Sequence, residues 1–268
     1  MKITEITDKS ILVVAHPDDE VLWFSSILER IEHVVFCFMA VRSTPGFERR
    51  RHEVLSSYPP EHVTSLELDE SEVLNGADWR DPVATDFGLK VAVSEYSLPG
   101  FSETRYRHNY SELVTALEHK LAGYKNVFTH NPWGEYGNEE HVQVYRAVSA
   151  LQVRMGFRLW FSNYCSNKTG NMMAQYVPKL VSNHATFATN KTLARKIKAI
   201  YQQNNCWTWN DDYEWPNRET FLTCDLGGVI DGKKYHVFPV NMISIDLPKE
   251  YEHRSRLRRW WRRVKRSR

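Results

Sequence analysis

His16, Asp18 and Asp19 stand almost side by side, in the stretch Ile11–Glu20 (ILVVAHPDDE). Two adjacent carboxylates next to an imidazole repel one another unless a proton or a cation lies between them. A hard or borderline metal ion held by these groups is the economical answer, so a metal centre is the chemistry these residue types suggest. Asp18 and Asp19 would also suit the positive N-terminal end of a helix, but that reading leaves the histidine unexplained.

The elements that must position these groups can be read from the flanks. Ile11–Ala15 is an apolar run rich in branched residues and ended by Pro17, the pattern of a strand buried on both faces. Val21–Arg30 (VLWFSSILER) spaces its apolar residues as a helix does, so His16–Asp19 is placed on a strand-to-helix turn. In open parallel sheets, ligands bind at such turns. Val34–Val41 reads as a second buried strand, Phe47–Ser57 as a helix and Ser65–Leu68 as a third strand. Residues 107–122 read as a helix, Asn126–Thr129 as a strand, 139–153 as a helix and Arg158–Ser162 as a strand. Alternating strands and helices predict an α/β, Rossmann-like fold: a mostly parallel sheet with helices on both faces and a site at the C-terminal strand ends. The second such end is Asn126–His141 (NVFTHNPWGEYGNEEH), where Pro132, Gly134 and Gly137 shape a loop and His141 opens the next helix. By residue type alone, His141 reads either as a surface histidine or as a ligand.

A chain of 268 residues, 42% hydrophobic and 25% charged, suits one soluble α/β domain. No apolar run approaches the ~20 residues of a membrane span, and the polar start MKITEITDKS predicts no signal peptide. The four cysteines are dispersed without a CxxC pair, as expected of reduced thiols in a cytoplasmic protein. The net charge of +2 conceals a division: residues 254–268 carry nine of the 35 Lys and Arg and no acid, leaving residues 1–253 at −7. The predicted organisation is a catalytic domain over 1–250 and a basic tail over 251–268. In the tail, Leu257, Trp260, Trp261 and Val264 recur at helical spacing among arginines, the composition of an interfacial anchor for an anionic membrane surface. Nucleic acid is not expected as a partner, since phosphate attraction leaves the paired tryptophans unexplained and nothing in the body looks like a nucleic-acid module.

The AHPDDE run resembles the signature of the PIG-L/LmbE superfamily, metal-dependent de-N-acetylases of N-acetylglucosaminyl compounds such as N-acetylglucosaminyl-phosphatidylinositol. The resemblance extends over roughly residues 8–222 and includes the histidine-containing motif that ends at His141. It implies His16, Asp19 and His141 as ligands to Zn²⁺ or Fe²⁺, and Asp18 as general base. It also implies Tyr136 as a group that polarises the amide carbonyl, and Arg50, from an R-x-x-E with Glu53, as a substrate contact. Where many members carry a histidine, this chain has Asn138, which can donate a hydrogen bond but cannot act as an acid. His130 is a candidate substitute proton donor. Leu22–Ser26 replace the family's usual glycines, a change expected to alter packing more than chemistry. Lys198–Gln203 and Glu219–Phe221 resemble later family blocks, expected to serve in helix packing and capping.

Residues 69–106 and 204–218 carry no motif. The latter hold Trp207, Trp209 and Trp215, which suit either stacking on a sugar or anchoring the loop. The reading that best joins these features is a zinc- or Fe(II)-dependent amidase that removes the N-acetyl group of an N-acetylated amino sugar, cytoplasmic and peripheral to the inner membrane face. A metal-binding but inactive homologue acting as a glycan-binding module is the alternative. A Mg²⁺-dependent sugar-nucleotide transferase would have no use for two strand-end histidines.

Overall fold

The computed structural model describes residues 2–58, 62–177, 183–223 and 238–245. The basic tail, the boundary near residue 250 and Cys224 lie outside the described residues. Helices are α1 (Ile3–Ile6), α2 (Asp19–Trp23), α3 (Phe47–Leu55), α4 (Glu103–Lys120), α5 (Glu139–Met155), α6 (Gly170–Tyr176) and α7 (Lys191–Gln203). Strands are β1 (Ser10–Val14), β2 (His33–Ala40), β3 (Val63–Asp69), β4 (Ala84–Thr85), β5 (Gly88–Leu89), β6 (Asn126–Thr129), β7 (Arg158–Ser162), β8 (Tyr164–Ser166), β9 (Asn183–Ala188), β10 (Arg218–Thr223) and β11 (Asn241–Ile243).

Seven strands form one sheet in the order β3-β2-β1-β6-β7-β10-β9. The first five are mutually parallel, and β10 runs antiparallel to both of its neighbours. Period-two alternation along β1 sends Ile11 and Val13 into one core with Leu113 and Leu117 of α4 and Val144, Val148 and Leu151 of α5. Leu12 and Val14 enter the other core with Val54 of α3 and Ala194, Ile197 and Tyr201 of α7. Burial on both faces explains why the β1 sequence is continuously apolar. From β1 the chain builds outward through β2 and β3 on one side, then returns to place β6 and β7 on the other. The gap between the C-terminal ends of β1 and β6 is thus the topological switch point, where open α/β sheets bind ligands.

The expected helix over 21–30 is not continuous: α2 stops at Trp23 and a single 3₁₀ turn covers Leu28–Arg30. The cause lies in competing hydrogen bonds. The Val21 carbonyl accepts from the Ser25 hydroxyl and from the Trp215 indole N–H at 2.7 Å, so it is unavailable for the next helical turn. The Ser26 N–H donates instead to Glu219 Oε2 at 2.7 Å. Glu219–Phe221 are likewise not helix-capping residues but part of β10, paired with β9. Between β3 and α4 a small hairpin, β4–β5, interrupts what the sequence presents as loop. Cys37, Cys165 and Cys206 are buried free thiols. No helix among the described residues is long and apolar enough to cross a membrane.

Candidate metal centre and cavity

Immediately after β1 the chain turns at His16-Pro17-Asp18 into α2. Asp18 is left-handed at φ 107°, a conformation that costs a non-glycine residue of order 1–3 kcal/mol and concentrates at functional sites. Its N–H donates to Glu20 Oε2 at 3.0 Å, and its carbonyl accepts from Leu22 N–H at 3.0 Å. Glu20 is held in turn by the hydroxyls of Tyr58 (2.6 Å) and Tyr201 (2.9 Å). After β6, Gly134 (φ 68°) and Gly137 (φ 99°) turn the chain back toward α5; a Cβ on Gly134 would lie 2.5 Å from the Asn138 carbonyl. Asn138 caps α5 by accepting from Glu140 N–H at 2.8 Å.

These two turns bring His16, Asp19 and His141 together, all buried, with donor atoms within 4.8 Å of one another. His16 Nδ1 lies 3.3 Å from Asp19 Oδ2, and His141 Nε2 lies 3.3 Å from Asp19 Oδ1. His141 Nε2 is buried without a hydrogen-bond partner among the described residues. A buried polar nitrogen without a partner costs about 1–3 kcal/mol, which a metal at this position would remove. The donor set, two imidazoles and one carboxylate, fits a catalytic divalent metal.

The electrostatics follow from burial and neighbours. Burial opposes charge on Asp19, while the His16 N–H (2.8 Å) and the Trp23 indole N–H (2.9 Å) favour its ionised form by donating to its two oxygens. Burial and then the charge of Asp19 push Asp18 up to about 8, against two hydrogen bonds from Thr208. Thr208 donates to Asp18 Oδ2 through its N–H (3.1 Å) and its hydroxyl (2.5 Å). A cation beside Asp18 would draw its pKa back down. For His130, burial lowers the pKa, but Glu135 and Asp19 overcome it and raise it to about 9. The backbone contradicts a charged imidazole there: Ala15 N–H donates to His130 Nε2 at 2.9 Å, so that nitrogen must keep its lone pair. We assign the neutral form with the proton on Nδ1, facing Glu135 Oε2 at 3.2 Å. Both ring nitrogens are thus engaged, and His130 stacks on His141 (centroids 3.8 Å apart) as a support rather than a proton donor.

A cavity of about 430 Å³ opens beside the cluster, its lining including His16, Phe47, Tyr136, Asn138, Glu140 and Trp209, with Thr208. Asn138 Nδ2 donates to Tyr136 Oη at 2.9 Å, which leaves the tyrosine's own proton free to donate. Arg51, not Arg50, reaches the cavity. Buried Arg51 pairs with Glu70 at 2.7 Å and donates to the carbonyls of Phe38 and Met39, whereas Arg50 donates to the Asn205 carbonyl at 2.9 Å. The Phe47–Leu55 helix turns adjacent residues about 100° apart, so Arg50 and Arg51 necessarily face different surroundings.

The Leu22–Ser26 segment is expected to alter packing more than chemistry, yet the Trp23 indole N–H donates to Asp19 Oδ1 at 2.9 Å. Its ring meets Trp209 edge-on (5.4 Å), and Trp209 in turn meets Tyr136 (4.6 Å). The tryptophans of 204–218 divide their roles: Trp215 is buried and anchors the loop, while Trp209 lines the cavity. Glu139, at the start of α5, accepts from Ala77 N–H (2.9 Å) and Trp79 Nε1–H (3.0 Å) and so ties α5 to the 77–79 segment.

No family model matches the chain. Over 206 residues it is 23% identical to an uncharacterized protein of Acanthamoeba polyphaga mimivirus, a match covering 75% of this chain and 80% of that protein. Among solved structures it is similar to a deacetylase of the teicoplanin biosynthesis pathway in complex with teicoplanin (TM-score 0.49, 10% identity), with 80% of this chain and 97% of that chain covered. It is similar at the same coverage to teicoplanin deacetylase Orf2 in a zinc-inhibited form (TM-score 0.47, 12% identity). The A40926 pseudoaglycone deacetylase Dbv21 gives a TM-score of 0.39 and 12% identity over 80% of this chain and 96% of that one.

Proposed function

We propose that this protein is a metal-dependent hydrolase that removes the acetyl group from an N-acetylated amino sugar, releasing acetate and a free amine. The observation that carries the reading is the buried His16–Asp19–His141 cluster, with an unpartnered His141 nitrogen, beside a strained and hydrogen-bonded Asp18. The resemblance of AHPDDE to the PIG-L/LmbE signature points the same way. His16, Asp19 and His141 would hold the metal, Zn²⁺ or Fe²⁺. When bound, it supplies Lewis acidity and a water of lowered pKa.

The chain's own groups do the rest. Asp18 takes a proton from the attacking water and returns it to the departing amine, one carboxyl serving as base and then acid. Thr208 orients that carboxyl through Oδ2, leaving Oδ1 for the proton. The Tyr136 hydroxyl, aligned by Asn138, donates to the oxyanion that develops on the acetamide. This arrangement gives Asn138 a use without requiring it to act as an acid. Trp209 and Phe47 offer apolar faces to the sugar ring, and Thr208 and Glu70 offer hydrogen bonds to its hydroxyls.

The experiment is an acetate-release screen of metal-loaded protein against N-acetylhexosaminides with different aglycones. Release from at least one, lost in Asp18→Asn, supports the reading; metal-loaded protein that binds these sugars and releases nothing would favour the inactive glycan-binding module, for which the absent histidine at 138 is the argument. We also propose that the catalytic domain ends near 250 and that the 251–268 tail holds a cytoplasmic enzyme at an anionic membrane surface. Co-sedimentation of full-length and 1–250 protein with anionic vesicles tests this, and equal pelleting would reject it.

A further inference from the structure

The two histidines of the cluster are each gripped by a different glutamate, through opposite ring nitrogens. His16 faces Glu140 Oε2 through Nε2 at 2.9 Å, and His141 faces Glu135 Oε2 through Nδ1 at 2.9 Å. Neither glutamate has freedom to turn. Glu140 Oε1 is occupied by the N–H (2.6 Å) and hydroxyl (2.5 Å) of Ser71, just beyond β3. Glu135 Oε1 is occupied by Asn131 N–H (2.9 Å) and the Ser162 hydroxyl (2.6 Å) at the end of β7. Each Oε2 is therefore the oxygen left to receive a ring N–H.

With Nε2–H of His16 and Nδ1–H of His141 engaged by the two glutamates, the nitrogens left to ligate a metal are Nδ1 of His16 and Nε2 of His141. Each lies 3.3 Å from a different oxygen of Asp19. A cation shared among the two nitrogens and the carboxylate would be held by all three and would give His141 Nε2 the partner it lacks. We infer that Glu140 and Glu135 are positioning residues that set this chain's metal ligands in opposite nitrogens, Nδ1 for His16 and Nε2 for His141. The inference rests on the metal-binding part of the proposed function and not on its substrate.

The reach of the two glutamates differs in an informative way. Glu140 precedes His141 in sequence yet grips the other ligand, 124 residues away, so one residue ties α5, the end of β1 and the segment after β3 together. Glu135 also receives the Nδ1–H of His130, whose Nε2 is fixed by Ala15 N–H, so this network locks its proton positions from the backbone outward. In Glu140→Gln the amide oxygen stays with the two Ser71 donors, turning the amide N–H₂ toward His16 Nε2. That nitrogen must then accept, the proton moves to Nδ1, and the ligating nitrogen is lost. Glu135→Gln does the same to His141.

The test loads the full-length ¹³C,¹⁵N-labelled protein with ¹¹³Cd²⁺ and reads ¹¹³Cd–¹⁵N couplings to ring nitrogens assigned through bonds from each histidine's own backbone. Wild type should show one coupling to an Nδ1, from His16, and one to an Nε2, from His141. Zn²⁺ affinity should fall ~10–100-fold in Glu140→Gln and in Glu135→Gln, the usual loss when a group behind a metal ligand is changed. Coupling to Nε2 of His16 or to Nδ1 of His141 would overturn the inference, and that result needs no variant to fold. So would a folded Glu140→Gln with Zn²⁺ affinity within twofold of wild type. Correct couplings without acetate release would count against the deacetylase reading alone.

Discussion

Replacing Glu219 by Gln should remove one defined component of the pH dependence of stability. Glu219 is fully buried on β10, accepting from Ser26 N–H at 2.7 Å and from the Tyr164 hydroxyl at 3.1 Å. Burial outweighs these bonds and raises its pKa from 4.5 to about 7. The folded state thus holds the proton more tightly than the unfolded chain, and ionisation favours unfolding. Stability that is fully present below the unfolded value is lost as pH rises through about 7. At 1.36 kcal/mol per unit, a shift of this size corresponds to about 3 kcal/mol between pH 4 and pH 8.5. Gln is isosteric with the neutral acid and cannot ionise; its N–H₂ can donate to Tyr164 Oη while its oxygen retains Ser26 N–H. Glu219→Gln should therefore match wild type within ~0.5 kcal/mol at pH 4 and exceed it by about 3 kcal/mol at pH 8.5. Urea unfolding of both proteins in chelator, at half-unit pH steps, provides the difference, in which Asp18 and Glu20 cancel because both proteins carry them. Parallel curves across the range would show that burial does not control this carboxyl.

His16→Ala, Asp19→Ala and His141→Ala should each lose bound metal and activity together; retention of one equivalent at wild-type affinity, measured by calorimetry, would remove that residue from the ligand set. Asp18→Asn should keep the metal while turnover falls ~10²–10⁴-fold, read from acetate release at saturating substrate. Trp209→Ala should raise KM for the sugar several-fold with little change in metal content, the loss expected of one aromatic face. Because Glu70, Glu72 and Glu140 all line the cavity and its one arginine is already paired with Glu70, a sugar bearing a phosphate should bind more weakly than its neutral counterpart, measured as inhibition constants with the same hexosamine.

Much of this arrangement was legible along the chain because it is local. The apolar run before His16 required burial on both faces, the short runs at Asn126–Thr129 and Arg158–Ser162 read as strands, and the three are the central strands β1, β6 and β7. The two strand-end turns could be placed from their prolines and glycines. The hydrogen bonds that tune the site are not local. Thr208 reaches Asp18 across 190 residues and Glu140 reaches His16 across 124, and no period or motif encodes such a pairing. The break after Trp23 escaped for the same reason, since Trp215 and Glu219 cap the interrupted turn from the far end of the sequence. Arg50 and Arg51 differ by one position in a run of three arginines, and only the direction in which α3 packs on β2 and β3 decides which of them reaches the cavity.

The most direct test of the account is acetate release from an N-acetylated hexosaminide as a function of metal added to fully chelated protein. Activity should rise linearly to one equivalent of Zn²⁺ or Fe²⁺, yield one free amine per acetate, and fall ~10²–10⁴-fold in Asp18→Asn although that variant binds the same equivalent. Acetate release that persists in the chelated protein, or an undiminished rate in metal-loaded Asp18→Asn, would contradict it.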